Sequence, residues 1–349
     1  MVPRCAATCI GSFPHTSAEA LCRFITDTLP EVPLWPQLPR RSFYEGMYVQ
    51  FTEHLPLADL DGDEKKIFFR SPEGREEEIE EFYERSLDED LSYFSISPSY
   101  AEGLSRFAEL SEKIRAMKPL AIKGQVTGPV SFGLTVTDKE RKPIYYNAQM
   151  REIIVIGLKM KALWELQYLS SIYEKIILFI DEPYLTSIGS GVISLKPGDV
   201  VSDLQEFTGA LREHYPSVRI GMHCCGNTDW SLIMKTGVDI LSFDAYTYGE
   251  NLLVYEGELK EFLGGGGMLA WGIVPTAGEE VDTPVPALME RMEALLALCG
   301  KKGFDIEKLL EHSFVTPSCG MTTLDERLAD RLIENTASLS AKLRKKYFS

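Results

Sequence analysis

Lys175-Ile-Ile-Leu-Phe-Ile180 restricts the fold of this chain more than any other stretch. Its near-continuous apolar run, without alternation, describes a strand buried on both faces. Such strands belong to parallel sheets, whose neighbouring strands are joined by helical crossovers. Eight runs of strand character lie near residues 6, 33, 120, 177, 219, 240, 269 and 313, and helix-forming stretches alternate with them. That count predicts an α/β protein, a (β/α)8 TIM barrel spanning residues 1–349 as one domain. A doubly wound open sheet is the alternative, but no Gly-x-Gly-x-x-Gly turn follows the first run.

Read in order, residues 5–10 form a short strand that ends in the turn Gly11-Ser-Phe-Pro14. Thr16-Ser-Ala-Glu19 starts a helix that continues to Leu29. Val32-Pro-Leu-Trp-Pro36 has strand content but two prolines. Residues 41–54 read as helical. Residues 55–118 then interrupt the rhythm as an insertion between strands 2 and 3. In it, residues 55–62 read as loop, residues 66–70 as a strand or hairpin arm, and residues 76–87 and 101–117 as helices. The run Glu76-Glu-Glu-Ile-Glu-Glu81 reads as a solvated helix face. Beyond the insertion come a strand at residues 119–123 and a long apolar helix at 147–172. Further helices are expected at 200–213, 229–235, 252–263, 284–298 and 324–347. Gly264-Gly-Gly-Gly267 stops a helix and lacks the context of a phosphate loop.

Composition decides what the barrel acts on only by exclusion. A net charge of −16 disfavours nucleic acid and anionic membrane as partners. No apolar run approaches the ~20 residues of a membrane span, and residues 1–10 are too quickly polar for a signal peptide. Seven cysteines without such a signal point to reduced thiols in a cytoplasmic protein.

In a barrel, chemistry collects at the C-terminal ends of the strands. The polar residues there are Ser12, Glu45, Gln125, Thr127, Asp181, Glu182, His223, Cys225, Asp244, Thr276 and Cys319. His223 and Cys225, two residues apart, converge from a strand running into a loop, and Cys319 adds a second sulfur. A lone His-x-Cys is a weak motif, but three N/S donors with one open position suit a catalytic Zn2+. Cys224 faces the other way, and Cys5, Cys9, Cys22 and Cys299 lack ligand spacing. Asp244 is read either as a fourth, oxygen ligand or as an acceptor that orients His223. Only one of Asp181 and Glu182 can face the mouth. An inward Asp181 suits an ammonium group, which leaves Glu182 a structural partner. A sulfur-rich zinc is a weak Lewis acid, better suited to holding a thiolate than to activating water. Alkylation of a thiol is the natural reaction.

Five stretches then resemble one family. They are Ile10-Gly-Ser-Phe-Pro14, Gly124-Gln-Val-Thr-Gly-Pro129, Ile180-Asp-Glu-Pro183, His223-Cys-Cys225 and Pro317-Ser-Cys-Gly320. In this order they resemble the C-terminal catalytic half of cobalamin-independent methionine synthases, within the uroporphyrinogen-decarboxylase-like barrel group. The resemblance implies a zinc-dependent methyltransferase giving methionine, with zinc on His223, Cys225 and Cys319. It implies Ser12 on the carboxylate of homocysteine, Asp181 on its ammonium and Glu45 as a second ammonium contact. The sequence departs from the family in three ways. Asp244 replaces the family's Glu ligand. The chain begins at the barrel, without the family's N-terminal half. Trp271-Gly-Ile-Val-Pro-Thr276 lacks the family's histidine on the loop after the seventh strand. The last two of these departures favour a methyl-corrinoid protein over methyl-folate as donor, because a methyl leaving cobalt needs no proton. Two other enzyme readings are a coenzyme M-type thiol methyltransferase and a metal-free porphyrinogen decarboxylase, the latter hinted at only by Arg40-Arg41. A zinc-bearing scaffold or corrinoid-protein partner is the non-catalytic reading.

Overall fold

The computed structural model describes residues 1–188 and 195–348. Its strands are β1 (Ala6–Ala7), β2 (Ala58–Asp61), β3 (Lys66–Phe69), β4 (Ile122–Thr127), β5 (Thr137–Asp138), β6 (Ile176–Asp181), β7 (Arg219–Cys224), β8 (Ile240–Phe243), β9 (Met268–Val274) and β10 (Ser313–Pro317). Seven of them form one curled, wholly parallel sheet in the order β1-β10-β9-β8-β7-β6-β4. Helices connect consecutive strands, as parallel pairing requires. The strand residues alternate between two apolar clusters. Ala6, Ile177, Phe179, Ile240, Ala270 and Phe314 belong to a small inner one. Residues such as Leu178, Ile180 and Leu241 belong to the larger cluster under the helices.

The run expected as the second strand, at Val32–Pro36, forms no continuous ladder. It makes single parallel bridges in both directions, Leu34 with Lys123 and Gln37 with Ser12. Pro33 and Pro36 have no N–H to donate, so the segment mostly accepts. Leu120 N and Lys123 N donate to Glu31 O and Pro33 O at 2.8 and 2.9 Å. Gln37 N donates to Gly11 O and Phe13 N to Gln37 O. Buried side chains reinforce the seam. Lys123 Nζ donates to Ile10 O at 2.5 Å and to Gln125 Oε1 at 3.2 Å, and it lies 4.4 Å from the Phe179 ring centroid. Gln125 Nε2 donates to Trp35 O at 3.1 Å.

Other expectations shift for local reasons. The first named strand is only Ala6–Ala7, and the strand expected at 119–123 runs later, from Ile122 to Thr127. Residues 58–61, read as loop, are β2. Asp61 Oδ1 accepts from Asp63 N and Glu64 N, which makes the turn that folds β2 onto β3. Residues 41–54 make two short 3-10 turns, Phe43–Glu45 and Val49–Phe51, because Gly46 is extended between them. Residues 101–117 make two helices, Glu102–Glu109 and Ser111–Met117, joined at Leu110 with φ −89° and ψ 8°. The helices Pro129–Thr135, Ala245–Tyr248 and Ile306–Glu311 are additional. The small sheet β2-β3-β5 takes its third strand from beyond the insertion.

The long helix Ala148–Ile172 starts on Asn147, whose side chain accepts from Met150 N. It is buried on more than one face and carries two ionisable groups into the interior. Glu165 accepts from Trp35 Nε1 at 2.8 Å and from Gln125 N at 3.1 Å, so it supports β4 from behind. Lys161, fully buried, donates only a long bond of 3.5 Å to Phe94 O on the insertion. Burial pushes its amine down to about 7. The protonated amine is therefore costlier folded than unfolded, and the cost grows as pH falls from the unfolded pKa toward 7. Lys161→Met is expected to stabilise the fold at pH 7 by on the order of 2 kcal/mol, the scale on which apolar groups replace buried charges. Urea unfolding at a series of pH values should show the gain shrinking toward zero as pH rises past ~10.4.

Candidate metal centre

The parallel register builds the site. Thr127 is the Cα partner of Asp181, Asp181 of His223, and His223 of Ser242. Side chains paired this way on adjacent parallel strands share a face. The four residues therefore form one row at the C-terminal ends of β4, β6, β7 and β8. Cys225 follows β7 by one residue, and Cys319 follows β10 by two. One ring nitrogen of His223 and the two sulfurs lie within 4.8 Å of one another. Among the described residues, this is the group of histidine, cysteine and carboxylate side chains spaced to hold a metal.

Neighbouring backbone fixes each member. Glu182 N donates to His223 O at 2.8 Å. The Cys319 loop is clasped by Ser318 N donating to Val274 O at 2.8 Å, and by Thr276 N donating to Ser318 Oγ at 3.2 Å. Met321 N donates to Ser12 O at 2.8 Å, which brings Ser12 against the same loop. Gly320 permits that approach, because a Cβ there would overlap Ser12 Oγ. Gly128 and Gly124 do the same behind the site, leaving room for the carboxylates of Glu182 and Glu165. The motif Gly124-Gln-Val-Thr-Gly-Pro129 is thus a strand whose two glycines each admit a buried carboxylate.

Asp181 and Glu182 take opposite sides. Glu182 accepts from Val130 N, Ser131 N and Ser131 Oγ at 3.0, 2.8 and 2.6 Å, the structural role expected of it. Asp181 keeps a buried Oδ1 with no partner among the described residues. Burial pushes its carboxyl up to about 6, against the pull of His223 and Lys123. Cys225 is held well below the ordinary thiol range, first by a hydrogen bond from Cys319 and then by His223. Cys319 is raised by the same bond and by burial.

The donor set fits zinc. His223 Nδ1 pairs with Ser242 Oγ at 3.0 Å, which leaves Nε2 buried with no partner among the described residues. An imidazole held at one nitrogen and free at the other is the form a metal ligand takes. Ser242, which holds the His223 ring at Nδ1, was not among the residues singled out in the sequence. Its signal was two-residue alternation back from Asp244.

Asp244 and Glu45 stand apart from this group. Asp244 caps the helix Ala245–Tyr248, with Oδ1 accepting from Thr247 N at 2.9 Å. Burial raises its carboxyl, and Cys225 adds to the rise. Glu45 is fully buried and paired with Arg41, which also pairs with Glu102. Burial pushes Glu45 up to about 7, and Oε2 has no partner among the described residues. Cys224 is buried on the outer side, its Sγ toward Gly226 O at 3.7 Å. All seven cysteines are free thiols.

No protein-family model matches the sequence, and no curated protein matches it. The fold does have a solved counterpart. A B12-independent methionine synthase from Shewanella sp. W3-18-1, in complex with selenomethionine, superposes with a TM-score of 0.61. The match covers 98% of each chain at 13% identity. A glycoside hydrolase aligns over 68% of this chain and 82% of its own, at TM-score 0.41 and 14% identity. At these identities the likeness to the synthase is one of fold.

Gly320→Ala is expected to destabilise the protein by about 1–3 kcal/mol, the cost of forcing bulk into a packed site. Gly209→Ala, in the helix Pro197–His214 with open space around it, should instead stabilise by about 0.5–1 kcal/mol. Urea midpoints of the two variants check the contrast.

Proposed function

We propose that this chain is a zinc-dependent methyltransferase that methylates a small thiol, homocysteine first, to give methionine. The carrying observation is the convergence of His223, Cys225 and Cys319 with an unpartnered imidazole nitrogen among them. The scaffold in this reading is a full (β/α)8 barrel, with residues 32–37 as its second stave. The bridges of that segment to both edges of the seven-stranded sheet support it. The fold likeness to a methionine synthase supports the reaction class.

In this reading His223, Cys225 and Cys319 hold zinc, and Asp244 is the candidate fourth ligand once its carboxylate turns from Thr247. Zinc, when bound, supplies the positive charge that keeps a substrate thiol ionised at neutral pH. The chain's own residues orient the substrate. Ser12, against the Cys319 loop, takes the carboxylate. Asp181, beside His223 in the row, takes the ammonium with its unpartnered Oδ1. Glu45 offers a second ammonium contact by sharing its carboxylate with Arg41. The buried row excludes water, which would otherwise protonate the nucleophile.

The methyl donor in this reading is a methyl-corrinoid protein. The Trp271–Thr276 stretch carries no acid to protonate a folate leaving group, and methyl transfer from cobalt to sulfur leaves the bonding electrons on cobalt without a proton. Methyl-folate and a coenzyme M-type acceptor remain outcomes that the assay separates. The decarboxylase reading loses its basic cleft. Arg41 is committed to Glu45 and Glu102, and Arg40 donates to Thr323 O at 3.1 Å. None of the described helices is long and apolar enough to cross a membrane. Seven free thiols support a reducing, cytoplasmic setting.

Elemental analysis of metal-replete protein should find about one zinc per chain, the stoichiometry of a single three-ligand site. Cys319→Ser should lose most of it, together with methyl transfer from free methylcobalamin to homocysteine. Full zinc content and full transfer in that variant would overturn the reading. Ser242→Ala should bind zinc about 10- to 100-fold more weakly, as removal of a ligand's supporting hydrogen bond does. Chelator competition measures it.

A further inference from the structure

Most buried threonines among the described residues satisfy their hydroxyls on nearby groups, but Thr127 and Thr316 are exceptions. Thr26, Thr208 and Thr336 donate to Cys22 O, Thr236 O and Leu332 O at 2.7, 2.5 and 2.7 Å. Thr8 donates to Val32 O at 3.0 Å. Thr127 does not. It is 1% exposed, and its Oγ1 has no partner among the described residues. Its position makes the omission informative. Thr127 is the last residue of β4 and the direct register partner of Asp181, whose Oδ1 is also buried and unpartnered. On the other side of Asp181 stands His223, with its unpartnered Nε2. Three adjacent strands thus present three unsatisfied polar atoms in one row at the candidate site. Leaving such atoms unpaired in a dry interior is costly, so a row of them marks where a ligand completes the bonding.

The chemistry of each atom assigns its part. Nε2 is a metal donor, and the Asp181 carboxylate attracts a cation. The Thr127 hydroxyl is neutral and can accept a hydrogen bond from an N–H next to that carboxylate. We propose that Thr127 is a substrate-binding residue that accepts a further hydrogen bond, beside those of Asp181 and Glu45, from the ammonium of the substrate. Together they select a thiol bearing a primary amine. A site built to bond N–H groups discriminates strongly against analogues that lack them. The assignment rests on the amino-acid-thiol reading of the site given above.

The test uses the full chain loaded with zinc, titrated calorimetrically with homocysteine and with its deaminated analogue, 4-sulfanylbutanoate. Zinc content is measured in parallel. Thr127→Val, which replaces the hydroxyl by a methyl of similar size, is expected to weaken homocysteine binding about 10- to 100-fold, the scale for losing a hydrogen bond to a charged group. Binding of 4-sulfanylbutanoate and zinc content should not change. Thr127→Ser, which keeps the hydroxyl, should restore homocysteine binding. Thr127→Ala, which adds no bulk, should show the same split as valine if valine disturbs folding. Equal weakening of both thiols would show a packing role and overturn the assignment. So would unchanged homocysteine binding in Thr127→Val and Thr127→Ala. If the wild-type chain binds zinc but no homocysteine, the amino-acid-thiol reading falls first and takes the Thr127 assignment with it.

Discussion

The register of β4, β6, β7 and β8 is what the site depends on. Because Thr127, Asp181, His223 and Ser242 are successive Cα partners, one parallel ladder aligns a hydroxyl, a carboxylate, an imidazole and the imidazole's partner. A slip of one residue in any pairing would turn the following side chains to the helix-facing side. The curl of the sheet then does what sequence distance obscures. It brings the loop after β10 back to the loop after β7, so that Cys319 meets Cys225 and His223.

That register is held by buried polar groups behind the site. Glu165 reaches from the long helix to Gln125 N and Trp35 Nε1. Glu182 caps the first turn of Pro129–Thr135, and Lys123 ties Ile10 to Gln125. Gly124 and Gly128 exist to let two of these carboxylates approach the strand. The groups are costly to bury. What they secure is the seam where residues 32–37 pair by single bridges rather than by a ladder.

Much of this was legible in the sequence, and the failures have physical causes. The apolar run at Ile176–Asp181 announced its strand, because burial on both faces removes alternation. The convergence of His223, Cys225 and Cys319 was the expectation from their places at strand ends, because His-x-Cys spacing alone is weak. The split of Asp181 from Glu182 followed from strand alternation alone. The segment at residue 33 looked like a strand by side chain, yet its prolines withhold the donors a ladder needs. β2 was missed because Ala58-Asp-Leu-Asp61 alternates over only four residues and is rich in Asp, which strands disfavour, so that the Asp61 turn and the pairing with β3 decide it. Ser242 carried only the faint signal of alternation back from Asp244, and the gap at Thr127 could not be read without register, since an isolated serine or threonine in a strand is usually a satisfied one. Arg41 and Glu45 pair at the i,i+4 spacing that the expected helix would also have brought together, although only Phe43–Glu45 is helical, as a 3-10 turn.

In the proposed function, three side chains from the ends of two strands, β7 and β10, hold a zinc whose open position takes a substrate sulfur. Zinc-edge X-ray absorption on the metal-replete chain, with and without homocysteine, tests it most directly. The expected spectrum shows a shell of two sulfurs and one nitrogen, with a third sulfur appearing when homocysteine is added. A zinc shell without sulfur, or one that contains both cysteines and is unmoved by homocysteine, would contradict it.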